Sequence, residues 1–336
     1  MSGISDVARI AGVSKSTASR ALTGGGYVSD GTRQRVIEAA RRIGYVASPN
    51  AASLVTGRTK NVGVVIPFVN RWFFGEVLEG IEDALLRSDY DLTLYNVRPG
   101  TTSRAHIFDH FLARKRFDGI ITIGIEPTLD EMDRLFSLDR PVVAVGGGQL
   151  DGISSVSIDD VFVSRLATEH LLGLGHTRIV HIGGEHSDDL MTSVHGRRLK
   201  GYLDAMEDAG LAAMALSVPS DMSVPGGYAA AVDVLGNPRS RPTAISAASD
   251  EVAVGAIIAA RRTGIEVPGE LSVVGVDGHE YAEMFSLTTV EQSPRAQGAA
   301  IVGLLMEHLD GRRSDPVTLL HPTRLVVRSS TGRPRS

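Results

Sequence analysis

Residues 6–24 read DVARIAGVSKSTASRALTG. Val7, Ala8, Ile10 and Ala11 recur at helical spacing, Ser5 stands where a capping hydroxyl is wanted, and the stripe stops at Gly12. Val13 is expected to turn inward. Ser14 can then cap a second helix in which Ala18, Ala21 and Leu22 fall at i, i+3 and i+4, leaving Lys15, Ser16, Thr17, Ser19 and Arg20 on the opposite surface. Beyond GGGY (24–27), Ser29 or Asp30 caps a third helix with Val36, Ile37, Ala40 and Ile43 on its inner side, and Gly44 ends it. Two helices joined by a short glycine-containing turn, with a third closing a miniature core, is the helix-turn-helix plan.

Charge separates this head from the rest of the chain. Residues 1–60 hold nine Lys or Arg against three Asp or Glu, a net +6, so the remainder must carry −11 to reach the overall −5. A basic head on an acidic body implies that only the head meets a polyanion. A charge excess alone is more often a solvated helical surface, so the spacing of the side chains has to carry the argument.

From residue 61 the texture changes. VGVVIP (62–67), DLTLYN (91–96), DGIITIGI (118–125), PVVAVG (141–146), RIVHIGG (178–184), TAISAAS (243–249) and LSVVGVD (271–277) read as buried parallel strands. Helical patterns lie between them at 75–88, 162–175, 197–210 and 251–264. Repeated βα units predict an α/β body, and its length is too great for one doubly wound sheet, so two similar lobes are expected. A last strand pattern, TRLVVRSS (323–330), ends the body. Between head and body, SPNAASLVTG (48–57) has Pro49 and Gly57 placed for a short helix. Helices below roughly 12 residues are marginal alone in water, which suits a switch in a linker.

These residues resemble the LacI/GalR bacterial transcription repressors. The resemblance rests on DVARIAGVSKSTASRAL, VSDGTRQRVIEAARRIGY, AASLVTGRTKNVGVVIP, ATEHLLGLGHTRIVHIGG, SDEVAVGAIIAARRTGIEVPGELSVVGVD and TTVEQS, which follow in the family's order over essentially the whole chain. It implies an all-α helix-turn-helix head at 1–46 and a hinge helix and linker at 47–60. Residues 61–336 would form two doubly wound parallel-sheet lobes like a periplasmic binding protein, one of 61–158 with 290–321 and the other of 159–289 with 322–336.

The resemblance makes Lys15 and Ser16 base readers and Arg20 a further base contact, with Thr17 and Ser19 as phosphate anchors or packing hydroxyls. Ser14 is as much a helix cap as a phosphate contact. Ser5, Ser29 and Thr32 in the head, and Asn50 and Ala51 in the hinge, complete the expected DNA-facing set. Leu54 falls where the family places a minor-groove wedge, which partly unstacks a base step and bends the duplex. Its plain alternative is packing against the body.

In open α/β sheets ligands bind at the carboxyl ends of strands. Those ends carry Phe73 and Phe74, Asn96, Gly146, Gly183 and Gly184, Ser249, Asp250 and Asp277. Aromatic faces with a few polar groups suit a sugar-like effector. Arg198 and Asp277 match the family's ligand-binding arginine and aspartate, and Gln292 joins the expected effector set. Alternatives from the residues themselves are a turn or cap for Asp277 and plain core for the phenylalanines. Gly146 replaces an aspartate frequent in sugar-binding members, Ser249 replaces a frequent asparagine, and Pro294 stands where some members have an aromatic.

The enzyme reading finds little. GGG (146–148) and GG (183–184) lack the spacing of a dinucleotide or P-loop signature, and neither a G-x-S-x-G elbow nor an H-E-x-x-H motif occurs. Zero cysteines exclude disulfides and thiolate chemistry. Glu185, His186, Asp188 and Asp189 form a polar loop, read as solvated rather than metal-binding. No cofactor is expected. Without a signal-like opening or a membrane-length apolar run, a cytoplasmic location is expected, against the periplasmic binding protein that a two-lobed body would otherwise suggest. The expectation is a regulator that works as a homodimer on a pseudo-palindromic operator under control of a small-molecule effector, most simply a carbohydrate.

Overall fold

Three helices open the chain in the computed structural model, α1 (Ile4–Ala11), α2 (Lys15–Thr23) and α3 (Asp30–Arg42). The structure describes residues 3–23, 26–45, 57–114, 116–148, 150, 152–185 and 190–335. Val7, Ala8, Ala11, Ala18, Ala21, Val36, Ala39 and Ala40 form the head's core, with Val13, Leu22 and Ile43 packed against it. Small residues on α1 and α2 let the two helices approach closely, and Gly12 makes the turn between them at φ +66°, where a side chain would be strained. Ile10 departs from the expected stripe: it is 38% exposed, because the face of α1 turned to the core carries Ile4, Val7, Ala8 and Ala11. Ser5 departs as well. Gly3 occupies the N-cap of α1, its N–H donating to the Asp6 carboxylate at 3.0 Å, while Ser5 is exposed inside the first turn.

The body contains two six-stranded sheets. The first runs in the order β11-β5-β4-β3-β1-β2, from β1 (Asn61–Ile66), β2 (Asp91–Asn96), β3 (Gly119–Ile123), β4 (Val142–Val145), β5 (Ser154–Ser157) and β11 (Thr318–Leu320). In the second the order is β12-β10-β9-β8-β6-β7, from β6 (Ile179–Gly183), β7 (Leu216–Pro219), β8 (Ala244–Ala247), β9 (Ser272–Asp277), β10 (Thr288–Glu291) and β12 (Arg324–Val326). The two orders are the same pattern applied twice, and every pairing is parallel except β10 with β12. Central strands β3, β6, β8 and β9 are buried at every residue, as their Val/Ile/Ala runs require. β2, expected to be buried, is instead a half-exposed edge strand.

Helices cover both sheets: α4 (Trp72–Arg87) and α5 (Leu129–Ser137) on the first, then α6 (Asp160–Gly173), α7 (Val194–Asp208), α8 (Val224–Leu235) and α9 (Asp250–Arg262) on the second. α10 (Pro294–Leu309) returns to the first sheet and packs with α4. The chain therefore crosses between lobes three times, at 158–159, 292–293 and 321–323. Because β10 belongs to the second sheet, the middle crossing falls just beyond the boundary expected at 290. No helix among the described residues is long and apolar enough to cross a membrane.

Tyr202 ties the second lobe's outer edge to its centre. Its hydroxyl donates to the Ile179 carbonyl at 2.8 Å and accepts the Leu216 N–H at 2.9 Å, and burial pushes its ionisation up to about 12. Tyr202→Phe leaves both backbone groups short of a partner. It should cost about 1–3 kcal/mol in urea unfolding, and an unchanged midpoint would contradict this role.

Candidate functional site

In the head, α2 presents Lys15, Ser16 and Arg20 to solvent, with Thr17 and Ser19 half-buried and Ala18 and Ala21 beneath. Ser14 caps the helix: its hydroxyl accepts the Thr17 N–H at 3.1 Å and lies 2.8 Å from the Thr17 hydroxyl. Arg20 folds back along the helix to the Ser16 carbonyl at 3.3 Å, and Arg33 of α3 holds the Ala21 carbonyl at 3.0 Å. Ser29 occupies the N-cap of α3, but its hydroxyl bonds the Thr32 hydroxyl at 3.0 Å rather than a backbone N–H. Lys15, Ser16 and Arg20 thus form one exposed polar row on a rigid backing, with donors and acceptors of the kind that reach base edges and phosphates. Asn50, Ala51 and Leu54, with the expected hinge helix, lie outside the described residues.

In the body, the segments that follow the strands' carboxyl ends meet across the two lobes. Trp72, at the start of α4, stacks on His279, just beyond β9, with ring centroids 4.7 Å apart. Arg197 of α7 donates to the Gly147 carbonyl beyond β4 at 2.6 Å, and Arg71 donates to the Asp221 carbonyl beyond β7 at 3.3 Å. Phe73 and Phe74 occupy the first turn of α4, which begins at Trp72 rather than at the expected Gly75. Their rings pack edge to face at 5.5 Å, and Phe68 adds a second edge contact to Phe74 at 5.9 Å.

At the carboxyl ends of β8 and β9 lies a buried charge network. Arg198 donates to Asp160 at 3.0 Å and to the Ala248 carbonyl, and its guanidinium stands 3.7 Å from Asp277. Asp160 also receives Arg197 at 2.9 Å. Burial alone would lower the Arg198 pKa, but Asp160 and Asp277 raise it and keep it charged. Asp277 accepts the Gln292 amide at 2.7 Å, and Gln292 in turn accepts Gln297 of α10 at 2.8 Å. At φ 131° Asp277 adopts a backbone that non-glycine residues rarely hold, so the network around it must sustain the strain.

Of the expected effector residues, Arg198, Asp277 and Gln292 are in direct contact, and Ser249 is next to the Ala248 carbonyl that Arg198 holds. The Ser249 hydroxyl caps α9 through the Val252 N–H at 3.3 Å. Gly146, at φ +60°, opens on space where an added Cβ meets nothing within 4 Å. Asn96 ends the edge strand β2 with its side-chain Oδ1 buried and without a hydrogen bond, and is not bonded into this network. Asp160, Arg197, Trp72 and His279 are additions that sequence reasoning missed. Asp160 stood just ahead of the helix expected at 162–175, and Trp72 just ahead of the one expected at 75–88, each without a pattern of its own. Among the described residues no group of three acidic or histidine side chains is arranged to hold a metal ion, and His186, Asp188 and Asp189 lie outside them.

Acidic groups here are held in unusual states. Burial, reinforced by Asp277, pushes Asp250 up to about 7, and burial pushes Asp277 up to about 6 in spite of Arg198. Glu251 is raised to about 7, mainly by burial. Asp250 fixes the turn after β9 by accepting the His279 N–H at 2.8 Å. The native state therefore retains protons that the unfolded chain releases near pH 4. The contribution of these carboxyls to stability should fall as pH rises from the unfolded carboxylate range through about 7, then level off. Asp250→Asn should flatten that decline by roughly 2–4 kcal/mol between pH 4 and 8 in urea unfolding; a wild-type slope in the variant would contradict the assignment.

Comparison with known proteins agrees with both halves of this geometry. Residues 3–49 match the family model for bacterial regulatory proteins of the lacI family, and 168–331 match that for a periplasmic binding protein-like domain. The HTH-type transcriptional regulator DegA of Bacillus subtilis (strain 168) is 34% identical over 335 residues, covering 98% of this chain and 97% of that protein. The HTH-type transcriptional repressor PurR of Proteus mirabilis (strain HI4320) is 33% identical over 341 residues, covering 98% and 97%. A solved complex of the transcriptional regulator CelR with cellobiose superimposes with a TM-score of 0.72 at 28% identity, covering 98% of this chain and 100% of that one. These relatives are transcriptional regulators rather than enzymes. With a three-helix head, two lobes of one repeated topology and relatives matched over nearly its full length, the chain belongs to the lacI family of bacterial regulatory proteins and is a DNA-binding transcriptional regulator.

Proposed function

We propose that the chain is a repressor that binds a pseudo-palindromic operator as a homodimer, and that a small carbohydrate held between the lobes sets its operator affinity. The observation that carries the first part is the exposed row Lys15, Ser16 and Arg20 on the alanine-backed α2. One such helix covers only one half-site, so two copies related by a two-fold axis would require matching symmetry in the DNA. Lys15, Ser16 and Arg20 are the base readers in this account, and Ser5, Thr17, Ser19, Ser29 and Thr32 lie along the phosphate backbone. Ser14 serves chiefly as the cap. Asn50 and Ala51 would track the minor groove with Leu54 as the wedge.

For the effector, the aromatic first turn of α4 lies across from the polar turn after β9, an arrangement that suits a ligand with one apolar face and several hydroxyls. Arg197, Arg198 and Arg71 are already engaged by protein acceptors, with Asp160 and Asp277 balancing the buried guanidinium of Arg198, so none of the three stands ready for a phosphate. That balance favours an uncharged polyol over a phosphorylated one. The CelR complex with cellobiose supports the same class. In this reading Arg198, Asp277, Gln292 and Ser249 meet the hydroxyls, Phe73 and Phe74 the apolar face, and Asn96 and Gly146 line the rim.

Selection of duplexes from a random pool by the full-length protein tests the DNA assignment. The enriched sequence should be an inverted repeat. Lys15→Ala and Ser16→Ala should change which bases are preferred within each half-site, with about 1–3 kcal/mol of discrimination lost at the contacted position. A uniform loss across all sequences would demote both residues to phosphate contacts, and enrichment of unrelated sequences would overturn the reading.

A further inference from the structure

Two helices of the first lobe, α4 and α10, touch backbone to backbone. A Cβ added at Gly80 would fall 2.1 Å from the Arg295 carbonyl oxygen, and one at Gly298 would fall 2.3 Å from that of Val77. Glycine at both positions lets the helices approach closer than any side chain permits. Arg295 pairs with Glu76 and Glu79 of α4, each at 2.6 Å, and Ile81, Leu85, Ile301 and Leu305 join the same core. The pair therefore behaves as one stiff body in which neither helix slides without the other.

Both ends of that body are occupied. At the cleft, α4 starts with Trp72, Phe73 and Phe74, while Gln297 of α10 reaches Gln292 and through it Asp277. At the far end, the segment leaving the head is held in three ways. Arg58 donates to the Leu309 carbonyl at 2.8 Å and to Asp310 at 3.4 Å, where the helix dipole of α10 favours a cation. Lys60 lies 4.5 Å over the Tyr90 ring, just beyond α4. Asp118 accepts the Thr59 N–H, the Thr59 hydroxyl and the Lys60 N–H at 2.7, 2.9 and 3.0 Å. Sixteen helical residues span about 24 Å, so α10 reaches from one site to the other without interruption.

We infer that the glycine-locked α4–α10 pair is the mechanical link between the cleft and the tether of the DNA-binding head, with Gln297 and Arg58 as the positioning residues at its two ends. The inference rests on the operator-binding and effector reading above. A change at the Asp277–Gln292 pivot shifts the pair as a unit, and Arg58 carries the shift to the residues that leave the head. Neither residue needs to touch the effector or the DNA.

Residues this far apart act independently unless one element couples them. The test is a double-mutant cycle on operator affinity, using the duplex selected by the full-length protein and the variants Gln297→Leu, Arg58→Met and both together. Each single variant should shift affinity by about threefold or more, and the double should equal the larger single effect rather than the product. The salt dependence should stay as in the wild type, because a lost phosphate contact would lower its slope by about one. Thermal unfolding verifies that each variant is folded; if Gln297→Leu is not, Gln297→Glu replaces it in the cycle. Effects that multiply, singles without effect, or a reduced salt slope for Arg58→Met overturn the inference while leaving operator binding intact. Failure of the full-length protein to select any duplex overturns the operator reading and the inference together.

Discussion

Arg198 is only 6% exposed, and the organisation of the body depends on what surrounds its charge. A guanidinium removed from water costs several kcal/mol unless acceptors surround it, and breaking such a buried pair typically costs about 3–5 kcal/mol. Here the acceptors come from three places: Asp160, directly after the first crossing between lobes; the Ala248 carbonyl, beyond β8; and Asp277, at the end of β9. Asp277 is bonded to Gln292, which lies at the second crossing. One buried charge thus ties together two of the three segments on which the lobes can move. Any ligand that competes for Arg198 or Asp277 acts on that pivot directly, which gives a binding event at the cleft a route to lobe geometry.

The same economy appears in the head. Ala18 and Ala21 remove bulk from the inner face of α2, so the helix sits close to α1 and projects its outer row as a rigid unit. Rigidity matters there because hydrogen bonds to base edges demand fixed geometry. The acidic body contributes the complement: with −11 beyond residue 60, the lobes are repelled by the polyanion that the head attracts, and DNA is left to the basic segment.

Much of this was legible in the residues themselves. Helix-turn-helix spacing, the Ser14 cap and the central strands follow from short-range rules, since a capping hydroxyl and a run of Val and Ile act through immediate neighbours. Ser5 was misread because Asp6 satisfies the helix start from inside the first turn. Edge strands such as β7 and β11 escaped because exposure removes the apolar pattern that marks a buried strand. The cleft was half legible. Phe73, Phe74 and Asp277 could be placed at strand ends, and the family resemblance supplied Arg198. Trp72 and His279 acquire their roles only when the second sheet is set against the first, and Asp160 only when α6 packs against α7, relations that no local window contains.

The central claim is that cleft and operator are linked sites on one molecule, and linkage is reciprocal. The direct measurement begins with a thermal-shift panel of neutral mono- and disaccharides on the full-length protein, followed by titration of the stabilising sugar with and without the selected operator. The account predicts that operator changes the sugar's affinity by the same factor by which the sugar changes the operator's. Equal sugar affinities in the two titrations, for a sugar that alters operator binding, would contradict it.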